Sequence, residues 1–176
     1  NSGTDALYLA TRAAGLKRGD EVITVAHSFV ATIASIVEVG ARPVLVDIDE
    51  DFNMSPVEAE RAVTENTKAI IPVHLNGRLC DMSQIERIAT KNNLIIIEDA
   101  AQAFGASYQG KKAGNWGAMG CFSLHPMKVL NCAGDGGLIT TNDSQLAQNL
   151  RSLRNHGQEV AGEFAHFGYS SRLDNL

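Results

Sequence analysis

Along this chain, short runs of consecutive apolar residues alternate with segments whose apolar residues recur every three or four positions. The β-branched run Glu21-Val22-Ile23-Thr24-Val25 follows the turn signal Gly19-Asp20 and predicts a strand. Pro43 to Ile48, Ala69 to Val73 and Leu94 to Glu98 predict further strands. Between them, Ala6 to Ala14, Val30 to about Val39, a segment opened by Ser55-Pro56, and one from Asp81 or Ser83 to about Lys91 read as helices. Gly40 suits the left-handed position after the second helix, and Ser55-Pro56 suits an N-cap followed by proline at the first helical position. Near-continuous apolar strands separated by helices predict an α/β fold, a mostly parallel sheet with helices on both faces.

Beyond Gly105 the pattern changes. Tyr108 to Gly117 is rich in glycine and lysine, Cys121 to Leu124 and Leu138 to Thr141 predict short strands closing the sheet, and Asn142-Asp143 starts a helix to about Arg154. No repeat, low-complexity tract or linker divides the chain, so one domain, or most of one, is expected over residues 1–176. Asn1 to Asp5 reads as a loop leading straight into a helix, and Arg172 to Leu176 stops inside what reads as a helix start. Both ends predict a fragment of a longer protein.

Composition narrows the function classes. With 44% hydrophobic residues the chain can bury a sizeable core. Its 15 Lys+Arg against 20 Asp+Glu leave a net charge of −5 and no basic stripe, so no nucleic-acid partner is expected. No apolar stretch approaches the roughly 20 residues that span a bilayer, so no membrane partner is expected either. Cys80, Cys121 and Cys132 form no close pair, which predicts reduced thiols in a cytoplasmic protein. His27, His74, His125, His156 and His166 fit no zinc spacing, and no metal site is expected.

In an open α/β sheet, ligands sit beyond the carboxyl ends of the strands. Asp99 directly follows the run Leu94 to Glu98, and reads either as a helix N-cap or solvated carboxylate, or as the group that keeps a pyridine nitrogen protonated. Glu98 is its rival. Strand alternation points the two side chains to opposite faces, so one of them reaches the site. Lys128 reads as a surface charge or, among Ala118-Met119-Gly120 and Val129 to Ala133, as a partly desolvated amine able to form a Schiff base with an aldehyde. Such a carboxylate and such a lysine are the pair that pyridoxal phosphate chemistry requires.

Ser2-Gly3-Thr4 starts a helix, where its residues serve as a plain N-cap or its free amides hold a phosphate. Ser123 can add a hydroxyl to that phosphate. Phe29 is a core residue or an aromatic plate over a cofactor ring. Gly134-Asp135-Gly136-Gly137 is a plain turn or a place where backbone passes close to a bound ring. His125 shapes the lysine loop or borders the substrate.

Taken in order, Ser2-Gly3-Thr4-Asp5-Ala6-Leu7, Ser28 to Thr32, Pro72 to Gly77, Glu98 to Gln102, Ser123 to Lys128 and Gly134 to Gly137 resemble the DegT/DnrJ/StrS family of pyridoxal phosphate-dependent sugar aminotransferases over essentially the whole chain. The resemblance implies the large domain of a type I, aspartate aminotransferase-like transferase. It matches Lys128 to the lysine that bonds the cofactor, Asp99 to the carboxylate facing the pyridine nitrogen, and Gln102 to a residue near the phenolic oxygen. Phe29 matches the stacking aromatic, and Gly3, Thr4 and Ser123 match the phosphate cradle. It further implies a homodimer that moves an amino group from glutamate or glutamine to a nucleotide-linked keto sugar, for polysaccharide or related glycoside synthesis.

Some features depart from the family. Gly168-Tyr169-Ser170-Ser171-Arg172-Leu173 has Ser170 where the family's Gly-x-Asn-x-Arg-Leu has asparagine near the dimer interface, which implies an altered contact there. Members run to roughly twice this length, so the N-terminal segment before the phosphate loop and the small C-terminal domain are expected to be absent, with weak cofactor binding and poor turnover by this chain alone. A pyridoxal phosphate-fold binding or regulatory module without catalysis is the alternative. A doubly wound oxidoreductase is disfavoured, because no Gly-x-Gly-x-x-Gly follows the early strands. The sister dehydration activity, which replaces the lysine with histidine, is opposed by Lys128.

Overall fold

The structure is a computed structural model that describes residues 1–174. Its strands are β1 (Glu21–Val25), β2 (Arg42–Val46), β3 (Thr67–Ile70), β4 (Ile95–Asp99), β5 (Ser107–Tyr108), β6 (Lys111–Lys112), β7 (Met119–Ser123), β8 (Gly137–Thr140), β9 (Gln158–Val160) and β10 (Glu163–Phe164). The helices are α1 (Gly3–Ala13), α2 (Val30–Glu38), α3 (Pro56–Arg61), α4 (Met82–Asn92) and α5 (Ser144–Leu153). The central sheet runs β2-β1-β3-β4-β7-β8, parallel except for the antiparallel β7–β8 pair. The expected α/β sheet with helices on both faces is the architecture observed.

Alternation within the apolar runs sorts the side chains into two cores. Val22, Ala69, Ile71, Ile97, Met119 and Cys121 pack with α1, α2 and α5 on one face. Ile23, Ile70, Ile96 and Phe122 pack with α3 and α4 on the other. The β1-to-β2 connection therefore runs over one face and the β3-to-β4 connection over the other, in opposite directions along the sheet, which opens a crevice at the carboxyl ends of β1 and β3.

Several boundaries differ from expectation. β3 ends at Ile70 rather than Val73, because Pro72 has no N–H for the ladder, although Val73 still bridges Asp99. β2 covers Arg42–Val46 and forms the sheet edge, where Pro43 is tolerated and Leu45 is exposed. Ser55 stands at the N-cap of α3 but its side chain makes no capping bond, whereas Asp81 caps α4 by accepting from the Gln84 amide. Arg172 to Asp174 carry no regular element, and Asn175 and Leu176, the rest of the expected helix start, lie outside the described residues.

Candidate active site

Glu98 and Asp99 end β4 and point to opposite faces. Glu98 goes to the α3/α4 face and is fully buried. One of its oxygens accepts from the Trp116 and Gly117 amides, each at 2.7 Å, and the other from the Gly114 amide at 2.8 Å and His74 Nε2 at 3.0 Å. Burial pushes its carboxyl up, but the His74 and Gly117 hydrogen bonds outweigh that and hold it below the ordinary glutamate range. The Cys80 amide donates to His74 Nδ1 at 3.4 Å, so the ring proton on Nε2 faces Glu98. Glu98 is thus a structural node, and Asp99 is the carboxylate that faces the α1/α2 side.

Asp99 is 5% exposed, with Oδ2 accepting from Thr32 Oγ1 at 2.6 Å and Oδ1 from the Ala101 amide at 3.2 Å. Burial pushes its carboxyl up, opposed by the Thr32 and Ala101 bonds and by the charges of His74 and Lys128. The neighbouring Cys121 thiol is pushed well up by burial and by Asp99 and Glu98, and stays neutral.

Ser2 caps α1 through its hydroxyl, which accepts from the Asp5 amide at 3.0 Å. Among the described residues, the Gly3 and Thr4 amides bond to no protein group. Gly3 lies so close to Ser123, the last residue of β7, that a Cβ on it would meet Ser123 Cβ at 2.5 Å. Gly137 is equally constrained, since its Cβ would run into the Ser2 carbonyl. The glycine-rich stretch therefore has two uses. Gly134 (φ 113°) makes a plain turn, and Gly137 admits the backbone of this chain's own helix start.

Lys128 lies in the loop after β7. It is half-buried, and among the described residues its Nζ bonds to no protein group, while its charge acts on Asp99. Of the neighbours expected to desolvate it, Met119 is buried in the core, whereas Val129 is 73% exposed and Leu130 is exposed too, and Met127 beside the lysine is 86% exposed. Phe29, at the N-cap of α2, is 66% exposed and is not a core residue. Gln102 Oε1 accepts from the Asn76 amide at 2.9 Å, leaving its Nε2 free to donate. His125 Nδ1 accepts from the Met127 amide and so shapes the lysine loop.

Three residues that bond Asp99, Glu98 or Gln102 were not legible as site components in the sequence. Thr32 sits inside a helix, His74 was one of five scattered histidines, and Asn76 adopts a left-handed conformation (φ 51°) in a single 3-10 turn. Thr32 falls at the third position of the helix that follows β1 after a four-residue loop, which is the one signal that could have found it.

A buried carboxylate, a primary amine and a helix start with free amides, gathered at the carboxyl end of one sheet, fit the ring nitrogen, aldehyde and phosphate of pyridoxal phosphate. The sequence model described as the DegT/DnrJ/EryC1/StrS aminotransferase family matches residues 1–176. The chain is 51% identical over 176 residues to the pleiotropic regulatory protein of Geobacillus stearothermophilus, covering 99% of this chain and 47% of that one. It is 49% identical over 176 residues to the UDP-N-acetyl-3-dehydro-alpha-D-glucosamine 3-aminotransferase of Acidithiobacillus ferrooxidans, covering 99% and 48%. The crystal structure of S. venezuelae DesV in complex with a ketimine intermediate superposes with a TM-score of 0.95 at 43% identity, covering 98% of this chain and 47% of DesV. The chain thus spans about half the length of the curated relatives it matches. With that span, this site and this fold, it belongs to the DegT/DnrJ/EryC1/StrS aminotransferase family.

Proposed function

We propose that the protein carrying this chain is a pyridoxal phosphate-dependent aminotransferase that moves an amino group from glutamate or glutamine to a nucleotide-linked keto sugar. The observation that carries the reading is the convergence of Asp99, Lys128 and the Gly3/Thr4/Ser123 cradle at one end of the sheet. When bound, pyridoxal phosphate supplies an aldehyde for an amine and a protonated ring that stores an electron pair. Gly3 and Thr4 offer amides, and Ser123 a hydroxyl, to the phosphate. Asp99 holds a proton on the ring nitrogen, using lone pairs that Thr32 and Ala101 leave free. Phe29 covers the ring face, and Gln102 Nε2 donates to the phenolic oxygen. Lys128 Nζ would offer the amine and would serve as the general base at the donor's α-carbon and, in the separate second half-reaction, as the general acid at the acceptor carbon. The reading includes a cytoplasmic homodimer. Unpaired cysteines suit a reducing compartment, and exposed Phe29, Val30, Met127 and Val129 give the site's end of the sheet an apolar surface suited to a second copy.

The regulatory reading draws support only from the Geobacillus relative's name, since Lys128 and Asp99 are both in place. An absorbance spectrum with pyridoxal phosphate decides between them. A visible band in the wild-type protein that disappears in Lys128→Ala is the expected result. No band in either protein sinks the enzyme reading.

A further inference from the structure

α2 begins with Phe29 at its N-cap, and no side chain caps it. Hydroxyls able to serve its free amides flank that position, Ser28 just before it and Thr32 at the third helical residue. Neither is used for capping. Ser28 Oγ bonds Thr32 Oγ1 at 2.6 Å, and Thr32 Oγ1 bonds Asp99 Oδ2, across 67 residues of sequence, also at 2.6 Å. A hydroxyl has one proton to give. Thr32 spends its proton on the carboxylate, so Ser28 must donate to Thr32, and both donors point towards Asp99.

We propose that Ser28 and Thr32 form a two-hydroxyl relay that holds Asp99 in its charged form and fixed orientation beneath the ring nitrogen, which makes Thr32 a positioning residue. The inference rests on the pyridoxal phosphate reading above. Thr32 is fully buried, so water cannot replace its hydroxyl. The other groups facing Asp99 are the Ala101 amide, Cys121 on β7, His74 after β3 and Lys128 after β7, and the Thr32 bond is the shortest that Asp99 makes. Burial drives Asp99 towards the neutral acid, and a neutral acid cannot keep a proton on the ring. The relay opposes that drift, because hydrogen bonds to a charged acceptor are stronger than to a neutral one. The same five residues, Ser28 to Thr32, also carry Phe29, so the ring's plate and its anchor are set by one segment.

The test compares Thr32→Val, which keeps the shape and removes the hydroxyl, with Thr32→Ser, which keeps the hydroxyl. Carbon-13 NMR follows the Asp99 carboxyl in the cofactor-free protein, and the visible band gives pyridoxal phosphate affinity. In Thr32→Val the Asp99 titration moves to higher pH and affinity falls about tenfold, while Thr32→Ser matches the wild type in both. Ser28→Ala, which removes only the outer donor, shifts the titration in the same direction by less. An unmoved titration in Thr32→Val, or in Ser28→Ala if the first variant does not fold, overturns the relay even where the wild type binds the cofactor. A wild-type protein without a Lys128-dependent band overturns the cofactor reading, and the titration still decides the relay.

Discussion

Burial pushes Glu98 and Asp99 the same way, yet their carboxyls end on opposite sides of the ordinary range, because Glu98 collects four hydrogen-bond donors and Asp99 two. The consequences for stability have opposite signs. Glu98, lowered in the folded state, contributes stability above its unfolded pKa and loses it as pH falls through the folded one. Asp99, raised in the folded state, favours folding below its unfolded pKa and opposes it once pH rises through the folded one. Asp99→Asn should therefore raise the thermal midpoint of the cofactor-free protein at neutral pH while abolishing stable pyridoxal phosphate binding, both readable by calorimetry and absorbance. Glu98→Ala strands the buried His74 and Gly114 amide and the part-buried Trp116 and Gly117 amides, and should cost about 3 kcal/mol or more in urea denaturation. The sequence made legible that one of the pair would reach the site, since alternation demands it. Which one depends on the helix layer each face receives, and that is a long-range fact.

At the scale of elements, the runs of β1, β4 and β7 were legible because these strands are buried on both faces, and the miscues have local causes. Pro72 ends β3 early, and the β9–β10 hairpin is too short and polar to show a period. The β5–β6 hairpin turns at Gln109 (φ 48°) and Gly110 (φ 79°), a two-residue turn with positive φ at both positions but without its usual Asn-Gly signature. Ser123 was expected beside the Gly3/Thr4 helix start, but not that α1 packs on β7 so tightly that Gly3 has no room for a Cβ. Gly3→Ala gains about 1 kcal/mol of helix propensity against an overpacking cost of about 1–3 kcal/mol. Net stability should change little, while the helix start is displaced and inorganic phosphate, titrated calorimetrically, binds more weakly than to the wild type. A phosphate affinity unchanged by Gly3→Ala would remove the cradle from the site. Ile97, fully buried between β4 and the α1/α2 face, should cost about 2–5 kcal/mol on replacement by alanine in a denaturation series.

For the molecule as a whole, the parallel sheet brings residues from every third of the chain to one end, which is why the family was legible from scattered motifs although no single motif would have sufficed. That end has two unlike halves. Beneath Asp99, one carboxylate gathers the segment at His74 and the loop at 114–117; beside it, the lysine loop presents Met127 and Val129 to solvent. The Glu98 node makes the floor a unit that opens only when the core opens. Its clearest signature lies in time rather than shape: the Gly114, Trp116 and Gly117 amides should keep their protons through deuterium exchange until global unfolding, while those of Met127 and Val129 trade theirs within seconds.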